Sequence, residues 1–335
     1  VNPVSGGTSF SFLEDVSSLY NITVNNTDIS AVSNISQVNI TIPSALIFGA
    51  STNGTNAGAH TFSNTSIFLN WSNIGTGLVA QNTTFAFWFN ATVSTPGNYN
   101  ITVATYNASH SPANTTTLSV TINDTTVPDS INFVSPTPST LANLSQSFIV
   151  VNVTATDNGV IDRILLRLHN STQQVTNTTT STSSPLFVNL TGLSDGIYYL
   201  NATINDTYNN QNSTLSTLNI TLDTKNPLVS YGLLTEVNNS NKSQTWVYVN
   251  VSVTETNEQN ITFTLYNSST SINITNFSAG TRAINWTGLT DGVFYYNVSV
   301  KDYATNANTT TSRIITLDTA LPFVTFGASG NADND

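Results

Sequence analysis

The side chains that could do chemistry in this 335-residue sequence are mainly carboxylates and asparagine amides. There are 18 Asp and Glu, three His and no Cys. Carboxylate and amide oxygens are the hard ligands that calcium prefers, and four acids could gather near one end of a domain: Asp157, Asp195, Asp223 and Asp302. The alternative is that these carboxylates only cap turns, as Asp commonly does. We predict no cofactor, and calcium stays open as the one metal that the sequence could hold.

The distribution of nucleophiles and bases argues against catalysis. The histidines are far apart in the sequence: His60, His110 and His169. No G-x-S-x-G motif is present, and no glycine-rich phosphate loop follows a predicted strand. A glycosidase needs two facing carboxylates, but the acids here recur in pairs, such as Asp206 with Asp302 and Asp195 with Asp291. An acid that recurs in successive repeats is more typical of a turn than of a single active site, so we predict that the protein is not an enzyme.

Asparagine carries a modification signal. Of 47 Asn, 32 begin the sequence Asn-x-Ser/Thr, where chance placement would give about 13. Polar alternation along strands explains part of this excess, but not why the first polar residue is so often Asn, a poor strand former. We therefore predict N-glycosylation, which would cover outward strand faces and loops with glycan. The favoured sites are Asn152, Asn201, Asn250 and Asn297 on outward faces, and Asn64, Asn170 and Asn267 in loops.

Alternation of apolar and polar residues predicts the elements that position these groups. Residues 149–156 and 247–254 place mainly Val and Ala on one face and Asn, Thr and Ser on the other, and a period of two recurs in 99–103 and 218–222. Strict alternation over about five to eight residues is typical of half-buried antiparallel strands. No stretch of ten residues or more has helical spacing. The sequence therefore predicts an all-β protein.

The chain repeats with a period close to the roughly 100 residues of one immunoglobulin-like sandwich. The motif Asp-Thr-x-x-Pro occurs at 124–128, 223–227 and 318–322, and residues 191–199 match residues 287–295. Because Pro fixes φ and restricts the residue before it, these motifs are predicted to be short, stiff linkers. We predict tandem immunoglobulin-like antiparallel β-sandwiches arranged end to end. The predicted units are an N-terminal β-sandwich (1–123), two immunoglobulin-like repeats (124–222 and 223–317), and a first strand of a further repeat or a donated strand (318–335).

Each predicted sandwich also contains a candidate tyrosine corner, in which a phenol hydroxyl bonds to nearby backbone. Tyr199 and Tyr295 each follow a Leu by six residues, and Tyr99 follows Val93 by the same spacing. This spacing extends the sandwich prediction to the first 123 residues, which otherwise match the repeats poorly.

Charge limits the partners that the chain can have. Seven Lys and Arg against 18 Asp and Glu give a net charge of -11, and no cationic side chain of these types precedes Arg163. Such a surface offers few contacts to phosphate, so we exclude nucleic acid as a partner. No apolar run approaches the roughly 20 residues that cross a bilayer, and we predict no membrane span in this chain.

Several of these motifs together resemble a known kind of protein. The Asp-Thr-x-x-Pro linkers, the Asp-Gly-x-Tyr/Phe-Tyr segments and residues 201–206 look like tandem immunoglobulin-like repeats of archaeal cell-surface glycoproteins. Residues 20–28 and 87–92 are similar to β-sandwich modules of the same proteins. The resemblance implies an extracellular, N-glycosylated structural role in a surface layer, sheath or filament. The chain lacks the long apolar N-terminal helix that polymerises type IV-like pilins.

Two functions of different kinds follow from this resemblance. The first is a self-assembling structural subunit of an extracellular filament or surface layer, which polymerises head to tail with copies of itself and carries glycan on its surface. The second is a stalk or binding module of a larger surface adhesin. Both place the protein outside the cell, at the cell surface.

The C-terminal residues supply a candidate assembly strand. Residues 321–327 align with residues 226–232, where the preceding repeat begins. One strand cannot bury its apolar face alone, so we expect either that the chain continues or that the strand is donated to a neighbouring subunit by β-augmentation. Donation would propagate as a filament. The apolar side chains of this segment are Leu321, Phe323, Val324 and Phe326.

Overall fold

Antiparallel strands dominate the computed structural model, which describes residues 9–26, 34–72, 82–107, 112–172, 175–214, 216–268 and 270–324. Every regular element in these ranges is a β-strand, so the all-β prediction is confirmed. Alternation sets the buried face as predicted: Val151, Val153 and Ala155 are buried, whereas Asn152 and Thr154 are half-buried on the opposite face. These ranges contain no helix of the length and apolarity that crossing a membrane requires.

The first nine strands form two sheets around one hydrophobic core. They are β1 (Ser9–Leu13), β2 (Ser18–Asn26), β3 (Ile35–Thr41), β4 (Ile47–Thr55), β5 (Thr61–Asn64), β6 (Phe68–Ser72), β7 (Thr83–Thr92), β8 (Gly97–Asn107) and β9 (Pro112–Asn123). One sheet has the order β1-β9-β8-β3-β6-β5 and the other β2-β7-β4. Aromatic side chains fill the space between them, and the ring of Tyr20 stacks on that of Phe89 with centroids 5.0 Å apart.

The next eighteen strands form two sandwiches of identical topology. The second sandwich contains β10 (Ser130–Val134), β11 (Ala142–Leu144), β12 (Ile149–Thr156), β13 (Ile161–Asn170), β14 (Val175–Ser181), β15 (Leu186–Leu190), β16 (Gly196–Asp206), β17 (Gln211–Ser213) and β18 (Leu218–Leu222). The third contains β19 (Leu228–Tyr231), β20 (Ser240–Lys242), β21 (Trp246–Thr254), β22 (Glu258–Asn267), β23 (Thr270–Ser278), β24 (Ala283–Thr287), β25 (Gly292–Asp302), β26 (Ala307–Thr309) and β27 (Arg313–Leu317). The second sandwich pairs β10-β12-β15 against β11-β18-β16-β13-β14, and the third repeats this order strand for strand.

Each sandwich contains one parallel strand pair, which its last strand forms with its first or second strand. β1 pairs with β9, β11 with β18, and β20 with β27, whereas the other pairings in the described ranges are antiparallel. Each sandwich has its own hydrophobic cluster, drawn from residues 10–122, 131–222 and 229–317. The chain is therefore a series of immunoglobulin-like sandwiches, as predicted.

The tyrosine corners are partly as predicted. The Tyr99 hydroxyl donates to the Thr95 carbonyl at 2.8 Å, which confirms the first corner. In the second sandwich the corner residue is Tyr198, whose hydroxyl donates to the Ser194 carbonyl at 2.9 Å. The assignment to Tyr199 was wrong, because the buried face of β16 begins one residue earlier. The third sandwich has Phe294 at the matching buried position, so the assignment to Tyr295 was also wrong.

Candidate metal centre

Two clusters of carboxylates lie at equivalent positions, one at the start of each repeat. Asp124, Asp157 and Asp206 form the first, and Asp223, Glu255 and Asp302 form the second; in each, one oxygen from every member lies within 4.8 Å of the others. The first acid of each cluster opens an Asp-Thr-x-x-Pro linker. We name them the first and second junction clusters.

The expected group of four acids does not exist as one site. Asp157 belongs to the first junction cluster, and Asp223 and Asp302 belong to the second. Asp195 lies in neither cluster. Its carboxylate accepts hydrogen bonds from the backbone N–H and the hydroxyl of Thr224, at 3.0 and 2.9 Å. The prediction that Asp157 and Asp195 share a site with the other two was therefore wrong.

Sequence reasoning missed Glu14, which brings a fourth carboxylate to the first junction cluster from the preceding sandwich. Its Oε1 accepts hydrogen bonds from the Thr125 and Thr126 backbone N–H groups at 2.9 and 2.7 Å and from the Thr126 hydroxyl. Its Oε2 accepts one from the Asn158 amide at 2.7 Å. No local pattern in the sequence marks Glu14, because its partners lie more than 100 residues away.

Turn capping accounts for several of these acids, since Asp124, Asp223 and Glu255 each accept a bond from the backbone N–H two residues on, and it is most complete at Asp206 and Asp302. Oδ1 of Asp206 accepts from the Tyr208 and Asn210 backbone N–H groups, and Oδ2 accepts from the Asn210 amide. Asp302 makes the matching bonds to the backbone and amide of Asn306. The amides of Asn210 and Asn306 also donate to the linker carbonyls of Asp124 and Asp223. The capping alternative thus describes Asp206 and Asp302. The Asn210 and Asn306 amides also hold the capped turns against the linkers.

The remaining oxygens of the first junction cluster have no hydrogen-bond partner. Oδ1 of Asp124 accepts from the Thr126 backbone N–H, but its buried Oδ2 accepts from nothing. Both oxygens of Asp157 and Oδ1 of Asn158 are likewise buried without a hydrogen bond of normal geometry, although the Asn158 and Gly159 backbone N–H groups lie near enough to Asp157 to act against the rise in its pKa. Asp124 is only 5% exposed. Buried carboxylate oxygens without partners are costly, because they lose hydration and gain nothing in return.

The second junction cluster has such partners. The Asn257 amide donates to Oδ2 of Asp223 at 2.8 Å, and the Asn257 backbone N–H donates to Oε1 of Glu255 at 2.7 Å. The matching space in the first cluster lies beside Gly159, where an added Cβ would press against Oδ2 of Asp124. The two clusters therefore have acids at equivalent positions, but they differ in which groups donate hydrogen bonds to those acids.

The electrostatics follow from burial and from the crowding of like charges. Burial, with help from Glu14 and Asp157, raises the pKa of Asp124 to about 6. Burial and the neighbouring Asp206 also raise the pKa of Asp157. Burial would raise the pKa of Glu14 as well, but the hydrogen bonds from Thr126 and Thr125 outweigh it and the pKa is lowered. None of the three ion pairs among the described residues includes a member of the first junction cluster.

The predicted glycosylation sites fall into two structural groups. Asn152 and Asn250 are half-buried, and their amides donate to the Ser135 and Leu233 carbonyls at 3.0 and 3.1 Å. Asn64 and Asn267 are exposed. The other three are half-buried: Asn170, Asn201 and Asn297. The expectation that Asn64, Asn267 and Asn170 lie in loops was wrong, because each is the last residue of a strand, in β5, β22 and β13. Glycosylation at all seven stays a prediction, but a glycan at Asn152 or Asn250 would compete with an existing contact.

The predicted assembly segment projects from the third sandwich. Leu321, Phe323 and Val324 are 90, 88 and 76% exposed and belong to no strand. Phe326 lies outside the described residues. The predicted role of the segment in assembly stays a prediction.

This architecture defines the class of protein: a tandem immunoglobulin-like β-sandwich protein with acidic junctions.

No family model and no curated protein matches the chain. It is similar to the solved fibronectin(III)-like modules of Clostridium thermocellum CbhA, with 13% identity, a TM-score of 0.34 and coverage of 59% of this chain and 99% of that one. It is also similar to the chicken CNTN1 FN1–FN3 domains, with 11% identity, a TM-score of 0.32 and coverage of 92% and 99%. A third similar structure is the BSP domain of a biofilm associated protein, with 11% identity, a TM-score of 0.25 and coverage of 96% and 69%. Values this low do not place the chain in any of these families.

Proposed function

We propose that the chain is a structural, N-glycosylated component of an extracellular filament or surface layer. The observation that carries the proposal is that the linkers are bonded on both sides. At the second junction, Thr224 bonds back to Asp195 of the preceding sandwich, and Asp223 bonds forward to Asn257 of the next. The Ser145 hydroxyl also donates directly to Asn306 across the same junction. Linkers held in this way keep successive sandwiches in a fixed relation, which a structural spacer needs and a flexible tether lacks.

The surface chemistry supports an extracellular setting. Only 7% of residues are charged, and neutral Asn, Thr and Ser supply most of the polar surface. Among the described residues, exposed Asn64 and Asn267 both begin glycosylation sequences. N-linked glycan at such positions requires export of the chain through a glycosylating compartment or membrane.

Imaging of the native cell surface tests this proposal. Antibodies raised against the chain should label regular polymers or an ordered array in electron micrographs. Isolated projections that carry the label would favour the adhesin stalk instead. Mapped glycopeptides should leave bare protein near the ends of the sandwiches, since polymer contacts need surface without sugar. A uniform glycan coat would count against self-assembly.

The exposed C-terminal segment is the proposed head-to-tail contact. Leu321 and Phe323 present apolar surface that a neighbouring sheet would bury by strand addition. A chain that ends at Thr319 should stay monomeric in size-exclusion chromatography under conditions in which the full chain polymerises. The full-length variant Phe323→Ser should weaken polymerisation without changing the folded state of the sandwiches. Equal polymerisation of the full chain, the shortened chain and Phe323→Ser would show that this segment is not the assembly contact.

A further inference from the structure

The first junction cluster gathers negative charge without an ion pair to any cationic side chain among the described residues. Glu14, Asp124, Asp157 and Asp206 bring four carboxylates together, and Asp124 is nine-tenths buried with one unpaired oxygen. We infer that the first junction binds one calcium ion, held by Asp124, Asp157, Asp206 and the side-chain carbonyl of Asn158. This site is independent of the proposed surface role, because it concerns how two sandwiches of one chain are joined.

The donor atoms fit calcium better than other common ions. All are oxygens, and the cluster contains no His or Cys, which zinc and copper would favour. Asp124 offers Oδ2, Asp157 offers both oxygens, and Asn158 offers Oδ1, so four unpaired oxygens are available before any water is counted. Calcium accepts about six to eight oxygens in flexible geometry, whereas magnesium demands a stricter octahedron. Oxygens from a linker, a turn and a strand end suit the more tolerant ion.

A shared proton is the competing way to relieve this cluster. The carboxyls of Glu14 and Asp124 are close enough for a proton on Asp124 to be donated to Glu14. That proton would satisfy Oδ2 of Asp124, but it would leave both oxygens of Asp157 and Oδ1 of Asn158 unpaired. A cation bound among these groups would give all of these oxygens a positively charged partner at once.

The second junction cluster serves as an internal comparison. There the Asn257 amide already donates to Asp223, and the Asn257 backbone already donates to Glu255. No side-chain oxygen of Asp223, Glu255 or Asp302 is buried and unpaired. The amide hydrogens at Asn257 supply the positive charge density that calcium would supply at the first junction. We therefore assign calcium to the first junction alone.

Calorimetric titration of the chelator-treated full chain with calcium chloride tests the inference. We expect one ion per chain, with a Kd between about 1 μM and 1 mM. Asp157→Asn should weaken binding at least tenfold and should fold normally, because it keeps the shape of the side chain and its remaining oxygen can still accept from the Asn158 and Gly159 backbone N–H groups. Glu255→Gln and Asp195→Asn change charge by the same amount elsewhere and should bind calcium like the unaltered chain.

A second variant tests geometry without a change in charge. Gly159→Ala directs a methyl group at Oδ2 of Asp124 and should weaken calcium binding several-fold. Calcium should also raise the Tm of the unaltered chain and of Glu255→Gln, but not that of Asp157→Asn. The absence of any binding heat up to about 10 mM calcium would overturn the inference, since even weak extracellular sites bind in the millimolar range. Loss of binding in Glu255→Gln with retention in Asp157→Asn would overturn the choice of junction.

Discussion

Asp195 and Thr224 lie on either side of the boundary between the second sandwich and its linker, and one carboxylate oxygen accepts both hydrogen bonds that join them. Asp291 and Thr319 form the same pair one repeat later, at 2.9 and 2.8 Å. The recurring Thr of the linker motif thus has a structural cause. It ties the linker to the Asp-Gly turn of the sandwich that the chain has just left.

This contact predicts the protease resistance of the linker. Lys225 lies in the linker and forms a 3.5 Å ion pair with Asp195. Asp195→Ala should speed tryptic cleavage after Lys225 several-fold, because cleavage requires the segment to open locally. The cleavage rate can be followed by mass spectrometry of the fragments. Asp291→Ala breaks the matching contact in the next repeat and should leave cleavage at Lys225 unchanged; an equal effect of both variants would show that the contact does not act locally.

The corner hydroxyl of Tyr198 should contribute to the stability of the second sandwich. Tyr198→Phe removes the bond to the Ser194 carbonyl and should lower the free energy of unfolding by about 1 kcal/mol. Urea titration measures this change. Tyr199→Phe is the matched control on the outward face, and its effect should stay within about 0.5 kcal/mol. Similar losses in both variants would mean that the corner bond is not the cause.

Alkaline pH should destabilise the N-terminal sandwich through Tyr20. Burial raises the pKa of Tyr20 to about 12, from an ordinary value of 10.0. The folded state therefore favours the neutral phenol, so this contribution is fully present below pH 10 and is lost as pH rises through about 12. In thermal unfolding experiments the Tm should fall between pH 9 and 12, and this fall should be smaller in Tyr20→Phe. An identical alkaline profile for Tyr20→Phe would contradict this assignment.

Asn152 should stabilise the fold even in a chain without glycan. Asn152→Ala leaves the Ser135 carbonyl without its amide donor and should cost roughly 1 kcal/mol or more. Asn267→Ala, at an exposed site, should change stability by less than about 0.5 kcal/mol. Chains made in a host that does not glycosylate allow this comparison by urea unfolding. In the native protein we expect lower glycan occupancy at Asn152 than at Asn267.

The sequence predicted the strands well because alternation depends on local burial. The bounds of β12 and β18 coincide with the alternating segments 149–156 and 218–222. The corner tyrosines were misplaced by one residue because Tyr198 and Tyr199 are adjacent. Spacing alone does not reveal which of two neighbouring rings faces the core, and a shift of one residue reverses every side chain of a strand.

The acidic site was harder to predict because it depends on which end of a sandwich each turn occupies. Asp195 directly precedes β16 and Asp206 is the last of its eleven residues, so about 35 Å of extended chain separates the two acids. That length alone excludes Asp195 from any site that includes Asp206. Glu14 could not be found in this way, since its place depends on how the first sandwich packs against the second.

The parallel pairing of the first and last described strands determines how the N-terminal sandwich would respond to a pulling force. In this sandwich β1 comes first and β9 last, and these strands run side by side in the same direction. Tension applied through the two strands would pull them past each other lengthwise, so that their ladder bonds share the strain at once instead of opening one by one. In each repeat the last strand pairs in parallel with the second strand, β18 with β11 and β27 with β20, because the first strand lies in the other sheet. The N-terminal sandwich is thereby arranged to resist stretching along the direction in which the chain itself runs.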